Sequence, residues 1–180
     1  PAPDVSTTPE IIDWMVDEYE KQTGDTGKAS FTGKSLPNGG SQGREEATGR
    51  GGVIVLRELL KLTEHPGPIR YVLQGFGNVG SFFALIAAAQ EPQWQLVAAT
   101  DSSGGSVSVK GLDVGKLDAF KRSGKKLNTY STKTITNEEL IGQDADVLVL
   151  AALGNAITKA NMKTVKAKII LELANGPITE

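Results

Sequence analysis

Ile69-Arg70-Tyr71-Val72-Leu73-Gln74-Gly75-Phe76-Gly77-Asn78-Val79-Gly80 reads as a short apolar strand running into a three-glycine turn that opens a helix. A G-x-G-x-x-G spacing alone marks a tight turn between any strand and any helix. The surroundings are more specific. The turn follows a strand and begins an apolar helix over 78–90. A second strand, 94–100, then ends at Asp101, 26 residues after Gly75. This is the dinucleotide-binding fingerprint, slightly stretched. Gly75 makes the turn, Gly77 lets backbone approach a diphosphate, and Gly80 lets helix and strand pack closely. The helix N-terminus offers N–H groups and partial positive charge to the anion, with Phe76, Asn78 and Val79 completing the turn.

Towards the N-terminus, a helix is expected from about Pro9 to Lys21, with Thr7 and Glu10 at capping-box spacing and Ile11, Ile12, Met15, Val16 and Tyr19 on one face. A polar, glycine-rich stretch follows over 23–43. A second helix is expected over 44–62, with Val53, Leu56, Leu59 and Leu60 buried. Gly49, Gly51 and Gly52 weaken that helix and require a packing or ligand-approach reason. Towards the C-terminus the pattern predicts a turn over 102–105, a helix over 113–122, a helix capped by Thr136 and Glu139, strands over 147–150 and 168–173, and a helical stretch near 158–165. Strands alternating with helices imply an α/β fold: a Rossmann-type, doubly wound, mostly parallel sheet with helices on both faces. The expected organisation is one compact domain, with residues 1–66 leading into a dinucleotide-binding core over 67–180.

Composition excludes several chemistries. Net charge is −2 with both signs interspersed, so no basic surface points to nucleic acid or anionic lipid. No apolar run reaches membrane-spanning length. The absence of cysteine removes disulfides, thiolate metal sites and a cysteine nucleophile, and suits a reducing cytoplasm. His65 is the only histidine, in a Pro/Gly loop, and no metal site is expected. A start at Pro1 without methionine leads us to expect a piece of a longer protein.

Asp101 has two readings. It either binds both ribose hydroxyls of an adenosine, favouring NAD over NADP, or caps its own turn through Ser102 and Ser103. No arginine or lysine follows it immediately to hold a 2′-phosphate, and Lys110 and Lys116 come later, so the expectation leans to NAD, with NADP the alternative. The basic run 121–126 reads as a solvated helix end. Ala151, Ala152 and Asn155 follow a strand whose carboxyl end should face ligand, where small alanines admit a flat ring. Asn155 and Asn175 add amide donors and acceptors.

Five blocks carry a wider resemblance: Pro1-Ala2-Pro3-Asp4; Thr32-Gly33-Lys34; the run from Gly39 to Gly51 containing Gly43-Arg44-Glu45-Glu46-Ala47-Thr48-Gly49-Arg50-Gly51; Gln74 to Gly80; and Ala174-Asn175-Gly176-Pro177. In order and spacing they resemble the glutamate dehydrogenase family over essentially the whole chain. The resemblance implies the coenzyme-binding domain of an enzyme that reversibly deaminates L-glutamate to 2-oxoglutarate and ammonia with NAD or NADP. It implies that Asp4 is a catalytic aspartate, that Thr32 lies near the substrate, that Thr48 reaches the nicotinamide part of the coenzyme, and that Asn78 contacts the diphosphate. It also implies a substrate domain with a catalytic lysine in a G-G-x-K-G-G motif, which this chain does not contain, and a homo-oligomer, commonly a hexamer, for the full-length protein. Leu173 departs from the small residue expected there, and either narrows the nicotinamide site or packs beneath the strand. The alternatives are a leucine, phenylalanine or valine dehydrogenase domain, or a noncatalytic dinucleotide-binding regulatory module.

Overall fold

The computed structural model describes residues 1–4, 7–65 and 67–179. They form two compact units, Pro1–Arg44 and Glu45–Glu180. The first is built on helix α1 (Pro9–Thr23), whose Ile12 and Val16 are buried with Phe31, with Tyr19 packed edge-on against the Phe31 ring. Its cap is Thr8, which accepts from the Ile11 N–H at 3.4 Å, rather than Thr7. The glycine-rich stretch that follows is tethered. Ser35 N–H donates to Asp13 Oδ1 at 3.0 Å, the Lys34 ammonium donates to the Lys28 and Phe31 carbonyls, and a 3-10 turn forms at Leu36–Asn38.

In the second unit a single sheet contains β1 (Ile69–Gln74), β2 (Trp94–Asp101), β3 (Gly104–Val107), β4 (Thr134–Ile135), β5 (Val147–Leu150) and β6 (Ile169–Glu172), in spatial order β4-β3-β2-β1-β5-β6. β2, β1, β5 and β6 run parallel, while β3 is antiparallel to β2 and β4 to β3. Alternation along each strand splits the core between the two faces. Tyr71, Leu73, Leu96 and Val149 meet Val53 and Leu56 of α2 (Arg44–Leu62), Phe83 of α3 (Asn78–Gln90) and Leu117 of α4 (Val114–Arg122). Val72, Ala98, Leu148 and Leu150 meet Leu140 and Ile141 of α5 (Asn137–Ile141). This is the expected α/β architecture with helices on both faces. The boundary expected at 66/67 falls inside the second unit, because α2 contributes Val53, Leu56 and Leu60 to the core of the sheet.

Three local expectations differ. The stretch 102–105 is less turn than expected: Ser102 and Ser103 connect Asp101 to its partner Gly104, and β3 continues to Val107. Gly-Gly-Ser carries little strand propensity. The strand forms because β2 offers an open edge and because the buried Ser106 hydroxyl donates to the Leu127 carbonyl at 2.8 Å. Residues 158–165 provide only one 3-10 turn, Met162–Thr164. Leu59, placed on the buried stripe of α2, is 38% exposed. By contrast, Thr136 and Glu139 form both halves of the capping box that starts α5.

The glycines of α2 have different reasons for being there. A Cβ on Gly49 would stand 2.6 Å from the Phe83 amide nitrogen and 2.9 Å from the Val79 carbonyl oxygen, so α2 and α3 cross backbone to backbone. A Cβ on Gly52 would meet the Leu173 side chain at 2.7 Å, which places Leu173 in packing against α2. A Cβ on Gly51 would meet nothing within 4 Å. Two substitutions of identical chemistry should therefore have opposite signs. Gly51→Ala should stabilise by up to about 1 kcal/mol through helix propensity. Gly49→Ala should destabilise by about 1–3 kcal/mol through overpacking. Urea denaturation midpoints check both, and a stabilised Gly49→Ala protein would contradict the crossing.

Candidate coenzyme-binding site

The sheet's connections lead from β1 to β2 on one side and from β5 to β6 on the other, so a crevice opens at the carboxyl ends between β1 and β5. Gly75 closes the floor of that crevice. Its φ of +94° is available to glycine at little cost, and a Cβ there would stand 2.7 Å from the Ala151 carbonyl and the Ala152 nitrogen. The Gly75 and Phe76 N–H groups both donate to the Thr100 carbonyl, at 2.9 and 2.7 Å. The Phe76 ring is 1% exposed and belongs to the core, so this residue faces the site only through its backbone.

Helix α3 starts directly above that floor. A Cβ on Gly80 would stand 2.0 Å from the Gly75 carbonyl oxygen, which holds the first turn of the helix against the glycine turn. Gly77, the N-cap, is different: it is exposed, supplies no capping side chain, and has open space where a Cβ would be. Ser81 N–H is already bonded to the Gly77 carbonyl at 2.9 Å, while the N–H groups of Asn78, Val79 and Gly80 come before any intrahelical acceptor. An anion at this end would find both free donors and the positive end of the helix dipole. Val79 is half-buried. Exposed Asn78 donates from its amide to the Glu45 carbonyl at 3.4 Å, tying α3 to the first turn of α2, on which Thr48 is exposed.

The other half of the crevice is formed by two loops. Ala151 N–H donates to the Gln74 carbonyl at 2.8 Å, and Leu173 and Ala174 donate to the Leu150 carbonyl at 2.8 and 3.1 Å. Asn155, with φ of +59°, donates its N–H to the Gly176 carbonyl at 3.0 Å, so the loops after β5 and β6 lie side by side. Ala152, Asn155 and Asn175 are exposed along them. Asp4 and Thr32 belong to the first unit. Asp4 is exposed, while Thr32 donates its N–H to the Pro1 carbonyl at 3.1 Å and accepts from the Arg44 guanidinium at 3.0 Å.

Asp101 ends β2 and is 8% exposed. Its Oδ1 accepts from the Ser103 N–H at 2.7 Å and from the Ser103 hydroxyl at 2.6 Å, and its Oδ2 is ion-paired with Lys121. Ser102, at the turn itself, is exposed. Asn137 donates to the Asp101 carbonyl at 2.9 Å and Asn128 to the Ser103 carbonyl at 2.7 Å. Burial pushes the Asp101 carboxyl up. The hydrogen bonds from Lys121 and Ser103 together outweigh it and hold the group below its ordinary value of 3.8. Lys121, Asn128 and Asn137 were not legible as site residues. The sequence assigns Lys121 to a solvated helix end and offers Lys110 and Lys116 for this place, yet the Lys110 carbonyl accepts from the Gln95 side chain at the opposite end of β2 at 3.0 Å and Lys116 pairs with Asp113 at 3.2 Å. Among the described residues no group of three or more histidine, aspartate or glutamate side chains gathers as a metal site, and no helix is long and apolar enough to cross a membrane.

The family model described as Glutamate/Leucine/Phenylalanine/Valine dehydrogenase matches residues 39–180. The NADP-specific glutamate dehydrogenase of Saccharolobus shibatae is 42% identical, over 99% of this chain and 42% of its own length. The catabolic NAD-specific glutamate dehydrogenase RocG of Bacillus subtilis is 40% identical, again over 99% of this chain and 42% of its own length. The hetero-hexameric glutamate dehydrogenase of Thermus thermophilus superposes with a TM-score of 0.87 at 33% identity, covering 99% of this chain and 42% of that one. The chain thus spans less than half the length of the curated relatives it matches, and it belongs to the Glutamate/Leucine/Phenylalanine/Valine dehydrogenase family.

The Asp101 cluster has a pH signature. A carboxyl whose pKa is depressed by folding contributes stability that is complete above its unfolded value and is lost as pH falls through the folded value. Asp101→Asn should therefore lower stability at pH 7, and the gap between the two proteins should shrink progressively below pH 3.8. Denaturant unfolding across pH 2–7 checks this. A gap that stays constant over that range would show that ionisation of Asp101 contributes nothing.

Proposed function

We propose that this chain, as a member of that family, is the coenzyme-binding part of an NAD(P)-dependent glutamate dehydrogenase that interconverts L-glutamate with 2-oxoglutarate and ammonia. One observation carries the reading: a helix N-terminus with no capping side chain, open at Gly77, set at the switch point of a parallel sheet where backbone closes on the turn at Gly75 and Gly80. A dinucleotide diphosphate fits that cradle. The nicotinamide coenzyme supplies the hydride acceptor. The N–H groups of Asn78, Val79 and Gly80 hold its diphosphate, Asp101 and Ser102 border its adenosine ribose, and Ala151, Ala152, Asn155 and Asn175 border its nicotinamide half, which Thr48 also reaches. Asp4 exchanges protons with the reacting nitrogen, a task suited to an exposed carboxylate, and Thr32 serves the substrate.

The glutamate reading is preferred over leucine, phenylalanine or valine because the block from Gly43 to Gly51 resembles glutamate dehydrogenases more than those enzymes and the cited relatives are glutamate dehydrogenases. For the full-length protein the proposal includes a homo-oligomer, a hexamer by analogy with the hetero-hexameric relative of Thermus thermophilus, working in the cytoplasm.

Titration calorimetry on the full-length protein with NADH and NADPH tests the site. At least one should bind, and Gly77→Val, which puts a side chain into the open space over the cradle, should weaken it by about tenfold or more, the equivalent of one or two charge-assisted hydrogen bonds. Failure of both coenzymes to bind would remove the reading. In the same protein Asp4→Asn should lower kcat for glutamate oxidation by about 100-fold or more, measured by absorbance of the reduced coenzyme.

A further inference from the structure

We propose that Asn175 is a site of spontaneous covalent modification: the Gly176 backbone nitrogen attacks its side-chain amide, and a cyclic imide carries it to aspartate and isoaspartate. The consequence for the coenzyme rests on the reading above, whereas the modification itself does not.

Asparagine followed by glycine is the pair most open to this ring closure, because glycine places no Cβ beside the attacking nitrogen. Two such pairs occur in the chain, Asn38-Gly39 and Asn175-Gly176, and every other asparagine precedes a residue that carries a Cβ. The fold treats the two pairs differently. Asn38 is half-buried at the end of a 3-10 turn, and the Gly39 N–H donates to the Leu36 carbonyl at 3.1 Å. That bond must open before the nitrogen can attack. Asn175 and Gly176 are both exposed, and the Gly176 N–H donates to no backbone carbonyl among the described residues.

Loss of the Gly176 amide proton to solvent base frees the nitrogen to attack Asn175 Cγ. The Cγ–Nδ2 bond breaks, and the amide group takes up a proton and leaves as ammonia. Water then opens the imide. Addition at Cγ gives aspartate, and addition at the main-chain carbonyl gives isoaspartate, whose backbone runs through Cβ. The net change exchanges ammonia for water and needs no oxidant or reductant.

Either product alters the loop that borders the nicotinamide half of the proposed site, because a carboxylate replaces a neutral amide. Isoaspartate also lengthens the main chain by a methylene at a place without slack. The Gly176 carbonyl accepts from the Asn155 N–H at 3.0 Å, and the Pro177 carbonyl from the Ile157 N–H at 2.9 Å. A Cβ on Gly154 would stand 3.2 Å from the Asn175 and Gly176 carbonyl oxygens. Extra length at Asn175 therefore parts the loops after β5 and β6.

Peptide mapping by mass spectrometry tests the modification, on full-length protein aged in mildly alkaline, isotopically labelled water that marks each opening of the imide. Asn175 should convert about tenfold or more faster than Asn38, the scale of the one hydrogen bond that guards Gly39, with isoaspartate among the products. Conversion no faster than that of Asn38 would overturn the proposal. Asn175→Gln, whose longer side chain closes the ring far more slowly, should take up no label at this position, and uptake equal to the parent's would also overturn it. The comparison with Asn38 lies within the parent protein and stands whether or not the variant folds. Calorimetry on the same samples, with whichever of NADH and NADPH the fresh protein binds, tests the consequence. Affinity should fall in the aged parent in step with conversion, while aged Asn175→Gln keeps the affinity it starts with. An equal fall in both would overturn the link to Asn175. Failure of the fresh parent to bind either coenzyme would instead overturn the coenzyme reading and leave the mapping result standing.

Discussion

Everything at the crevice depends on backbone meeting backbone where β1 ends. Gly75 lies against the Ala151–Ala152 peptide, and Gly80 lies against the Gly75 carbonyl, each too close for a Cβ. Side chains at either place would push α3 off the sheet or part β1 from β5. The contact therefore fixes how far the helix N-terminus stands above the strand ends, and with it the height at which any anion must sit. Gly77 differs because it faces open space. Two of these glycines are structural in the strict sense, and the third leaves room.

The same constraint extends into α2. Gly49 brings that helix against the Phe83 and Val79 backbone of α3, and Asn78 holds the Glu45 carbonyl from the other side. Thr48 is therefore carried on a helix locked to α3, whose N-terminus stands at the glycine turn. A residue nearly thirty positions upstream of the glycine turn is thus held to the same frame, which a contact map of the motif alone would not show. α2 is a weak helix former in its first half. It gains in packing against the sheet what it lacks in intrinsic propensity, through Val53, Leu56 and Leu60.

How much of this was readable beforehand follows from the range of the interactions involved. β1, α3, β2 and α2 are encoded by local periodicity and by the glycine turn between β1 and α3, and their bounds agree closely with the expectation. The capping box of α5 is a three-residue signal and was equally legible. β3 was not, because Gly104-Gly105-Ser106 becomes a strand only when the edge of β2 is offered to it and Leu127 accepts from Ser106. The 3-10 turn at 162–164 reflects the opposite failure, since the Asn161 side chain accepts from the Thr158 N–H and donates to the Ala156 carbonyl, local bonds that compete with a helix. Within the site, residues adjacent to the motif could be named. Asn128 and Asn137, which hold the Asp101–Ser103 turn from a distance in sequence, could not.

Lys121 is the sharpest instance of that limit, and it changes how a fingerprint should be used. The acidic residue at the end of the second strand is commonly taken as the selector, yet its effect depends on what neutralises it. Here the neutralising group comes from the last turn of α4, twenty positions further along, in a run of cations that composition alone assigns to solvent. Helix α4 is amphipathic for reasons of core packing, with Leu117 and Val114 buried, and that packing sets the azimuth of every other side chain on it. Lys121 arrives at Asp101 because Leu117, one turn earlier on the same face, is buried against the sheet. Charge at the end of β2 is thus governed by the hydrophobic phase of a helix outside the motif.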